Sequence, residues 1–290
     1  MQEQQNIEFY TKRTQDKDKI NLKSLESVLN LDNEGFIKFL EDQSELSKII
    51  ILDTSMFMPL SLGFVIEFID HDQRNDIKEY IERVFLKTQE NLSYLNSALI
   101  NNKGFVITNE VTRELYDWNI FWKRWINPED PMTISNGLLL KKDKEYIAEV
   151  LKRNKPLHSL LKEHTRYYIS RVIDIRNFLI NEKRVLSSSD LIHRNDDFKT
   201  LLKKVVWNTN NKKGKVISEE DKRITYALFL NALNCPTGLM SMDSDFDILT
   251  RSVHKNLFGL NKTLKKYDLY IKSNDYNEKF FTYLIHVDHL

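Results

Sequence analysis

Short apolar runs that end in acidic residues constrain the fold of this chain more than any other feature. IIIL at 49–52 is followed by Asp53, and TGLMS at 237–241 is followed by Asp243. The length and β-branching of IIIL are typical of a strand buried in a parallel sheet, TGLMS predicts another buried strand, and ligands of open sheets bind at the carboxyl ends of such strands. Because an unpaired carboxylate is costly to bury, we expect these acids to face a positively charged group.

Helical patterns separate the strand patterns, which predicts an α/β fold with a mostly parallel sheet. FVIT at 105–108 is a further predicted strand, and KYDLYIKS and KFFTYLIHV are predicted closing strands. Apolar residues at three- and four-residue spacing predict helices at 21–30, 33–42, 75–101, 109–125, 143–154, 158–185, 189–207, 218–233 and 246–258. Thr108 or Asn109 is expected to cap one of these helices, and Ser218 another.

Composition excludes several classes of protein. The 290 residues include 43 basic and 42 acidic side chains, a net charge of +1, so nucleic-acid binding would need a local basic patch. Few glycines and prolines argue against an all-β fold, and Cys235, the single cysteine, excludes an intramolecular disulfide or a thiolate zinc cluster. With neither a signal-peptide pattern nor the roughly 20 apolar residues that span a bilayer, we expect a cytoplasmic protein without membrane association.

Acidic residues gather in four places, and together they predict a divalent metal site. The clusters are Asp53, Glu110 with Glu114, Glu219–Asp221, and Asp243 with Asp245 and Asp247. Hard cations such as Mg²⁺ and Mn²⁺ prefer oxygen ligands. Because a divalent ion neutralises the charge that builds up in a phosphodiester transition state, the clusters favour metal-dependent phosphoryl chemistry.

In their order, these motifs resemble those of the PIN-domain nucleases. IIILDTSMF, VITNEVTREL, SEEDKRITYAL and LMSMDSDFDIL follow one another as the family's acidic motifs do, over about 45–115 and 216–275. The resemblance implies a PIN-like parallel-sheet sandwich of three α/β/α layers with a large helical insertion at about 116–215. It also implies an N-terminal tail with short helices at 1–44 and a nuclease domain at 45–290.

The resemblance assigns one acid from each cluster to the site. Asp53, Glu114, Asp221 and Asp243 match the family's catalytic, metal-binding positions, and Asp245 matches an accessory ligand. In that family the acids hold one or two Mg²⁺ or Mn²⁺ ions and cleave RNA, which implies an endoribonuclease.

The residues around these acids have plainer interpretations. The acids left outside the site are interpreted as first-turn helix residues or surface residues: Glu110, Glu219, Glu220 and Asp247. Thr54, Ser55 and Ser241 are expected to hold the acidic loops through side-chain hydrogen bonds to backbone, with contact to a substrate phosphate as the alternative.

Basic side chains supply the predicted nucleic-acid contacts. The predicted contacts are Lys203, Lys204, Lys212, Lys213, Arg223 and Arg251. A solvated helix end and loop is an equally good interpretation of the lysines. Trp118, Trp122 and Trp125 share one predicted helix face, which we interpret as core in preference to a base-stacking surface.

Two further functions stay open on sequence grounds. A structure-specific, flap-type DNase uses similar acidic chemistry, whereas a catalytically inactive PIN-like binding or scaffold module would use the helical insertion as its interaction surface. The predicted partner is RNA, with single-stranded DNA as an alternative and a protein regulator as an additional partner. The pattern indicates no oligomeric state.

Overall fold

The computed structural model describes 33–57, 77–126, 155–187, 196–210, 217–241, 243, 245–259, 267–276 and 280–289. Its helices are α1 (Asn33–Leu46), α2 (Thr54–Phe57), α3 (Ile77–Asn101), α4 (Asn109–Ile126), α5 (Lys155–Asn181), α6 (Asp196–Asn208), α7 (Glu219–Ala232), α8 (Asp245–Val253) and a π-helix (His254–Gly259). Its strands are β1 (Ile49–Leu52), β2 (Phe105–Thr108), β3 (Val185–Leu186), β4 (Thr237–Ser241), β5 (Tyr267–Tyr276) and β6 (Phe280–His289). The predicted helices at 21–30 and 143–154 lie outside these ranges. No described helix combines the length and apolarity that a membrane crossing requires.

The described strands form one mixed sheet in the order β3-β2-β1-β4-β6-β5. The first four strands are parallel, whereas β6 pairs antiparallel with both β4 and β5. The fold is therefore α/β with a mostly parallel sheet, as the alternating patterns predict. The predicted closing strands form the antiparallel hairpin at one side.

The three predicted parallel strands β1, β2 and β4 are buried, whereas β3 is partly exposed. Ile51 and Leu52 of β1 are fully inaccessible to solvent, and every residue of β2 and β4 is buried. Apolar residues of α3, α4 and α7 are buried as well, among them Leu95, Leu115 and Leu228. Burial of every side chain along a strand means that both faces of the sheet are covered, which is compatible with helical layers on each side.

Backbone hydrogen bonds close the edge of the sheet where the parallel strands begin. The Lys48 N–H donates to the Pro236 carbonyl at 3.1 Å, and the Ile50 N–H donates to the Gly104 carbonyl at 2.8 Å. A Cβ atom at Gly104 would lie 2.9 Å from the Lys48 carbonyl oxygen, which explains why a glycine precedes β2. This edge is tightly packed and uses its backbone polar groups internally.

The helix predicted at 158–185 is shorter than its pattern, and this prediction was wrong at its C-terminal end. α5 ends at Asn181, Lys183 has a φ of 57°, and Val185–Leu186 forms β3 beside β2. Arg184, which is buried, donates from Nη1 to the carbonyls of Leu99 and Asn102 at the end of α3, at 2.5 and 3.0 Å. Since these bonds anchor Arg184 to a different helix, the chain leaves α5 before the apolar spacing ends.

Side-chain caps begin two of the helices that carry acids, α4 and α7, and a third, α8, continues as a π-helix. Thr108 caps α4, since its hydroxyl accepts from the Val111 N–H at 3.3 Å, and Ser218 caps α7 by accepting from the Asp221 N–H at 2.9 Å. Both caps were among the predictions. The helix predicted at 246–258 is α8 followed by the π-helix, a form that often occurs at functional sites.

The described residues divide into two compact units. One consists of 77–91, 116–126 and 155–174, and the other contains every described strand. In the first unit His164 stacks on Phe85, with ring centroids 3.7 Å apart, and its Nδ1 pairs with the Gln89 amide at 2.9 Å. Burial lowers the pKa of His164 to about 3, so this histidine is a neutral core residue.

Candidate metal centre

Strands β1 and β4 end side by side, which brings their acids to one edge of the sheet. Leu52 pairs with Met240 in the parallel register, and the Asp53 N–H donates to the Met240 carbonyl at 3.0 Å. α2 begins directly after Asp53, and α8 begins at Asp245. The carboxyl edge of these two strands is therefore acidic, as the strand-end rule predicts.

Asp53 is held by two serine hydroxyls. Its side chain is 5% exposed, and its Oδ2 accepts from the Ser55 hydroxyl at 2.5 Å and from the Ser241 hydroxyl at 2.8 Å. Burial raises the pKa of Asp53, the two hydroxyl bonds oppose that rise, and the charge of Asp243 adds to it. Ser55 and Ser241 thus hold the loop through the Asp53 carboxylate, whereas bonds to backbone were predicted.

Ser241 also fixes the turn that carries the next acids. Its Oγ accepts from the Asp243 N–H at 2.9 Å, and Asp243 Oδ1 in turn accepts from the Asp245 N–H at 2.9 Å. One buried hydroxyl therefore orients Asp53 on β1 and the turn after β4 together. α8 begins directly after this turn, at Asp245.

Three acids approach one another closely enough to share an ion. Asp221, Asp243 and Asp245 each offer an oxygen, and these atoms lie within 4.8 Å of one another. Oxygens bound to one Mg²⁺ or Ca²⁺ at about 2.1–2.5 Å lie up to about 5 Å apart, so the spacing fits a single divalent ion. Asp221 lies in the first turn of α7, which begins after the Ser218 cap. Asp245, predicted as an accessory ligand, belongs to this closest set.

Glu114 belongs to the same acidic region through α4. The Thr54 hydroxyl donates to Glu114 Oε2, although the two residues are sixty positions apart. Burial raises the pKa of Glu114 to about 7; the Thr54 bond and Arg113 oppose the rise, while Asp53 and Glu220 add to it. Sequence reasoning placed Thr54 on the Asp53 loop, and its bond to Glu114 was missed.

Electrostatics links all four motif acids. Burial raises the pKa of Asp221 well above its usual value, the charges of Asp53, Asp243 and Glu114 add to the rise, and the Ser218 bond opposes it. Asp53 and Glu114 lie within this electrostatic reach but outside the set of oxygens within 4.8 Å. The structure therefore gathers the predicted acids into one region and brings three of the five to one point.

The donor set suits a hard divalent cation. Carboxylate oxygens are the ligands that Mg²⁺ and Mn²⁺ prefer, and burial together with the charges of neighbouring acids raises the pKa values of Asp53 and Asp221. A cation held between Asp221, Asp243 and Asp245 would offset that repulsion and favour the ionised forms. Asp53 and Glu114 would support the charge of such an ion from beside the set.

The acids left outside the site contact protein groups. Glu110 lies in the first turn of α4, as predicted, and is buried at 6% exposure. Its Oε1 lies 4.0 Å from Arg223 Nη1, and its Oε2 has no hydrogen-bond partner among the described residues. Glu219 accepts from an indole N–H at 2.9 Å. Asp247 pairs with Arg251 at 2.8 Å. The first two contacts join α4 and α6 to α7, whereas the pair of Asp247 and Arg251 lies within α8.

The predicted basic contacts have different surroundings. Lys203 Nζ lies 5.9 Å from the ring centroid of Trp207, and Lys204 is exposed on the same helix. Arg223 and Arg251 are engaged by carboxylates. Outside the described residues or side chains are Lys212, Lys213, Trp118, Trp122 and Trp125.

Comparison with known proteins gives no match: no family model, no curated protein and no solved structure matches the chain. No related protein therefore indicates a function for the acidic region, and its function is inferred from its geometry and chemistry.

Proposed function

We propose that the chain is a PIN-like, Mg²⁺- or Mn²⁺-dependent endoribonuclease. The observation that carries the proposal is the convergence of acids from four separate motifs at the carboxyl edge of β1 and β4. Asp221, Asp243 and Asp245 lie within 4.8 Å, and the pKa of Asp221 responds to the charges of Asp53 and Glu114. The order of the motifs, which resembles that of the PIN nucleases, supports the same chemistry. A cytoplasmic location stays a prediction of the sequence.

Each acidic side chain has a defined task in this proposal. Asp221, Asp243 and Asp245 would hold the divalent ion, which when bound supplies charge stabilisation to a phosphodiester undergoing hydrolysis. Asp53, fixed by Ser241, would keep its charge beside the ion and set the position of the β4 turn. Glu114, with a pKa raised to about 7, would accept or release a proton near neutral pH.

Cleavage and ion binding by the Asp243→Asn variant test the proposal. Asp243 is exposed, and asparagine keeps the side-chain oxygen that accepts from the Asp245 N–H, so the start of α8 is preserved. We expect wild-type protein to bind Mn²⁺ and to cleave single-stranded RNA, and the variant to lose both. Asp197→Asn, the same change at an exposed site in the first turn of α6, is the matched control.

The outcomes separate the three candidate functions. Loss of RNA cleavage in Asp243→Asn but not in Asp197→Asn supports the nuclease, whereas faster cleavage of flap DNA than of RNA by the wild type favours the structure-specific DNase. A wild type that binds Mn²⁺ and cleaves neither substrate favours the inactive binding module. Equal cleavage by wild type and Asp243→Asn would refute catalysis at this site.

A further inference from the structure

A cleft of about 820 Å³ lies against α8, beyond the candidate metal centre. Lys204 from α6, Asp247 and Arg251 from α8, and Lys255 from the π-helix contribute its charged side chains. Three cations and one carboxylate give the lining a net charge of +2, whereas the whole chain carries +1. The cleft is therefore a local basic patch of the kind that a nearly neutral chain needs to bind a polyanion.

The lysines are the cations that remain available in this cleft. Arg251 pairs with Asp247 at 2.8 Å. Lys204 and Lys255 are exposed, and neither has an ion pair with another residue of the described ranges. An ammonium group on an exposed, flexible stem is suited to contact phosphate oxygens without demanding one fixed geometry.

One wall of the cleft is formed by α6 with Thr209 and Asn210, and the other by α8 with the π-helix. Hydrogen bonds within the protein hold the polar groups between these walls. Thr209 donates to the Val205 carbonyl at 2.8 Å and pairs with the Ser252 hydroxyl at 2.7 Å, which links α6 to α8. The Asn256 amide donates to the Ser252 carbonyl at 2.9 Å. The two walls are thus joined, so a bound strand would meet a prearranged surface.

α8 connects the cleft to the candidate metal centre. The helix begins at Asp245, a member of the acidic set, and Asp247 two residues later already lines the cleft. At about 1.5 Å per residue, Arg251 lies about 9 Å along the helix from Asp245. The cleft and the acidic set are therefore close enough for one nucleic-acid strand to contact both.

We propose that this cleft binds the backbone of the RNA strand on one side of the cleaved bond, with Lys204 and Lys255 contacting phosphates. The inference rests on the proposed function, because the same strand must pass the acidic set. Asn210 is one of the lining residues, and Lys212 and Lys213 follow it in the sequence. Backbone contacts position a strand without reading its sequence, so binding through the cleft is insensitive to base identity.

Equilibrium binding of the full chain to a labelled single-stranded RNA of about 15 nucleotides tests this inference. The titrations contain EDTA, so the RNA stays intact whether or not the protein is a nuclease. The test variant is Lys204→Gln/Lys255→Gln. The matched control is Lys48→Gln/Lys103→Gln, which removes the same charge from exposed lysines just before β1 and β2, at the opposite edge of the sheet.

We expect the Lys204/Lys255 variant to lower affinity about 10- to 25-fold near 0.1 M salt and to reduce the slope of log K against log salt by about 1.4, because two phosphate contacts are lost. The control should change affinity less than about twofold. Asp247→Asn should tighten binding, because it removes the one carboxylate of the lining.

The outcomes separate failure of the cleft from failure of the nuclease. Equal affinity of the wild type and the Lys204/Lys255 variant would overturn the inference, even if the protein cleaves RNA. Equal weakening by both double variants would also overturn it, since the effect would then be one of net charge. Selective weakening in a protein that cleaves no RNA would support strand binding and refute the nuclease. Unchanged thermal unfolding of the variants excludes loss of the fold.

Discussion

The two edges of the parallel sheet treat polar groups in opposite ways. At the edge where the strands begin, backbone donors of Lys48 and Ile50 are satisfied by carbonyls of neighbouring segments, and the lysine side chains point away from the core as exposed groups. At the edge where the strands end, carboxylates crowd together, and burial and mutual repulsion raise the pKa values of Asp53 and Asp221. Backbone hydrogen bonds therefore stabilise the edge where the strands begin, whereas carboxylates repel one another at the edge where the strands end.

This difference indicates which edge serves stability and which serves chemistry. Repulsion among buried acids destabilises the folded chain unless a cation or protons offset it, so nothing in folding alone favours such an arrangement. Strongly shifted pKa values of this kind recur at functional sites. Substitutions at the two edges should therefore change stability and function in different directions.

Asp221→Asn should give the largest effect and should separate stability from activity. Loss of one ligand charge should lower RNA cleavage about 10³-fold, because charge stabilisation by a divalent ion is worth several kcal/mol. In EDTA the same variant should be about 1–2 kcal/mol more stable than the wild type, because asparagine removes a repelled carboxylate. Activity assays and urea unfolding measure the two effects. A variant that is less stable than the wild type in EDTA would contradict repulsion at this edge.

The stability of the metal-free protein should fall as pH rises from about 5 to about 8. Burial raises the pKa of Glu114 from 4.5 to about 7, so between these values the folded protein binds more protons than the unfolded chain. The contribution is fully present below about 4.5 and is lost as pH rises through 7, by at most about 3 kcal/mol. The raised pKa values of Asp53 and Asp221 act in the same direction. Urea unfolding in EDTA across this range measures the slope.

Glu114→Gln is the control for this pH dependence. Glutamine retains an oxygen that accepts from Thr54 and cannot ionise, so the variant should show a smaller decline. Mn²⁺ should reverse the decline in the wild type, because ion binding requires ionised carboxylates and displaces protons. Identical slopes for the two proteins would show that Glu114 does not titrate in this window.

Gly104→Ala should destabilise the opposite edge by about 2 kcal/mol and leave cleavage per folded molecule unchanged. The new Cβ atom would lie 2.9 Å from the Lys48 carbonyl oxygen, so the backbone itself would have to move. Gly238→Ala is the comparison, because its Cβ would lie 3.0 Å from the Ser47 hydroxyl, a side chain that can rotate. We expect a smaller loss at Gly238 by thermal unfolding. Equal losses would mean that contact with backbone is not the cause.

Much of the sheet could be predicted because its signal is local. β1, β2 and β4 are short segments built around adjacent apolar residues, so they are visible in the sequence together with the acids that follow them. β3 was missed because Val185–Leu186 continues an apolar helical spacing, and the chain leaves the helix at Lys183 through a contact made by Arg184. The end of α5 depends on a contact with α3, so the local sequence pattern does not show it.

The candidate site was predictable in its residue types and less so in its contacts. The strand-end rule places Asp53 and Asp243 at one edge, and the Ser218 cap places Asp221 in the first turn of α7. The bond between Thr54 and Glu114 depends on how α4 packs beside α2, which no spacing records. The closeness of Asp245 to Asp221 likewise follows from the turn after β4.

Ser241→Ala and Thr237→Val compare two fully buried hydroxyls at opposite ends of β4. Ser241 donates to Asp53 and accepts from the Asp243 N–H, whereas Thr237 donates to the Cys235 carbonyl at 2.9 Å. Ser241→Ala should weaken Mn²⁺ binding about tenfold, because the acids lose the group that orients them. Thr237→Val should cost about 1 kcal/mol of stability and leave Mn²⁺ affinity unchanged. Calorimetric Mn²⁺ titration of both variants decides the matter, since equal affinities would mean that Ser241 supports the fold without orienting the acids.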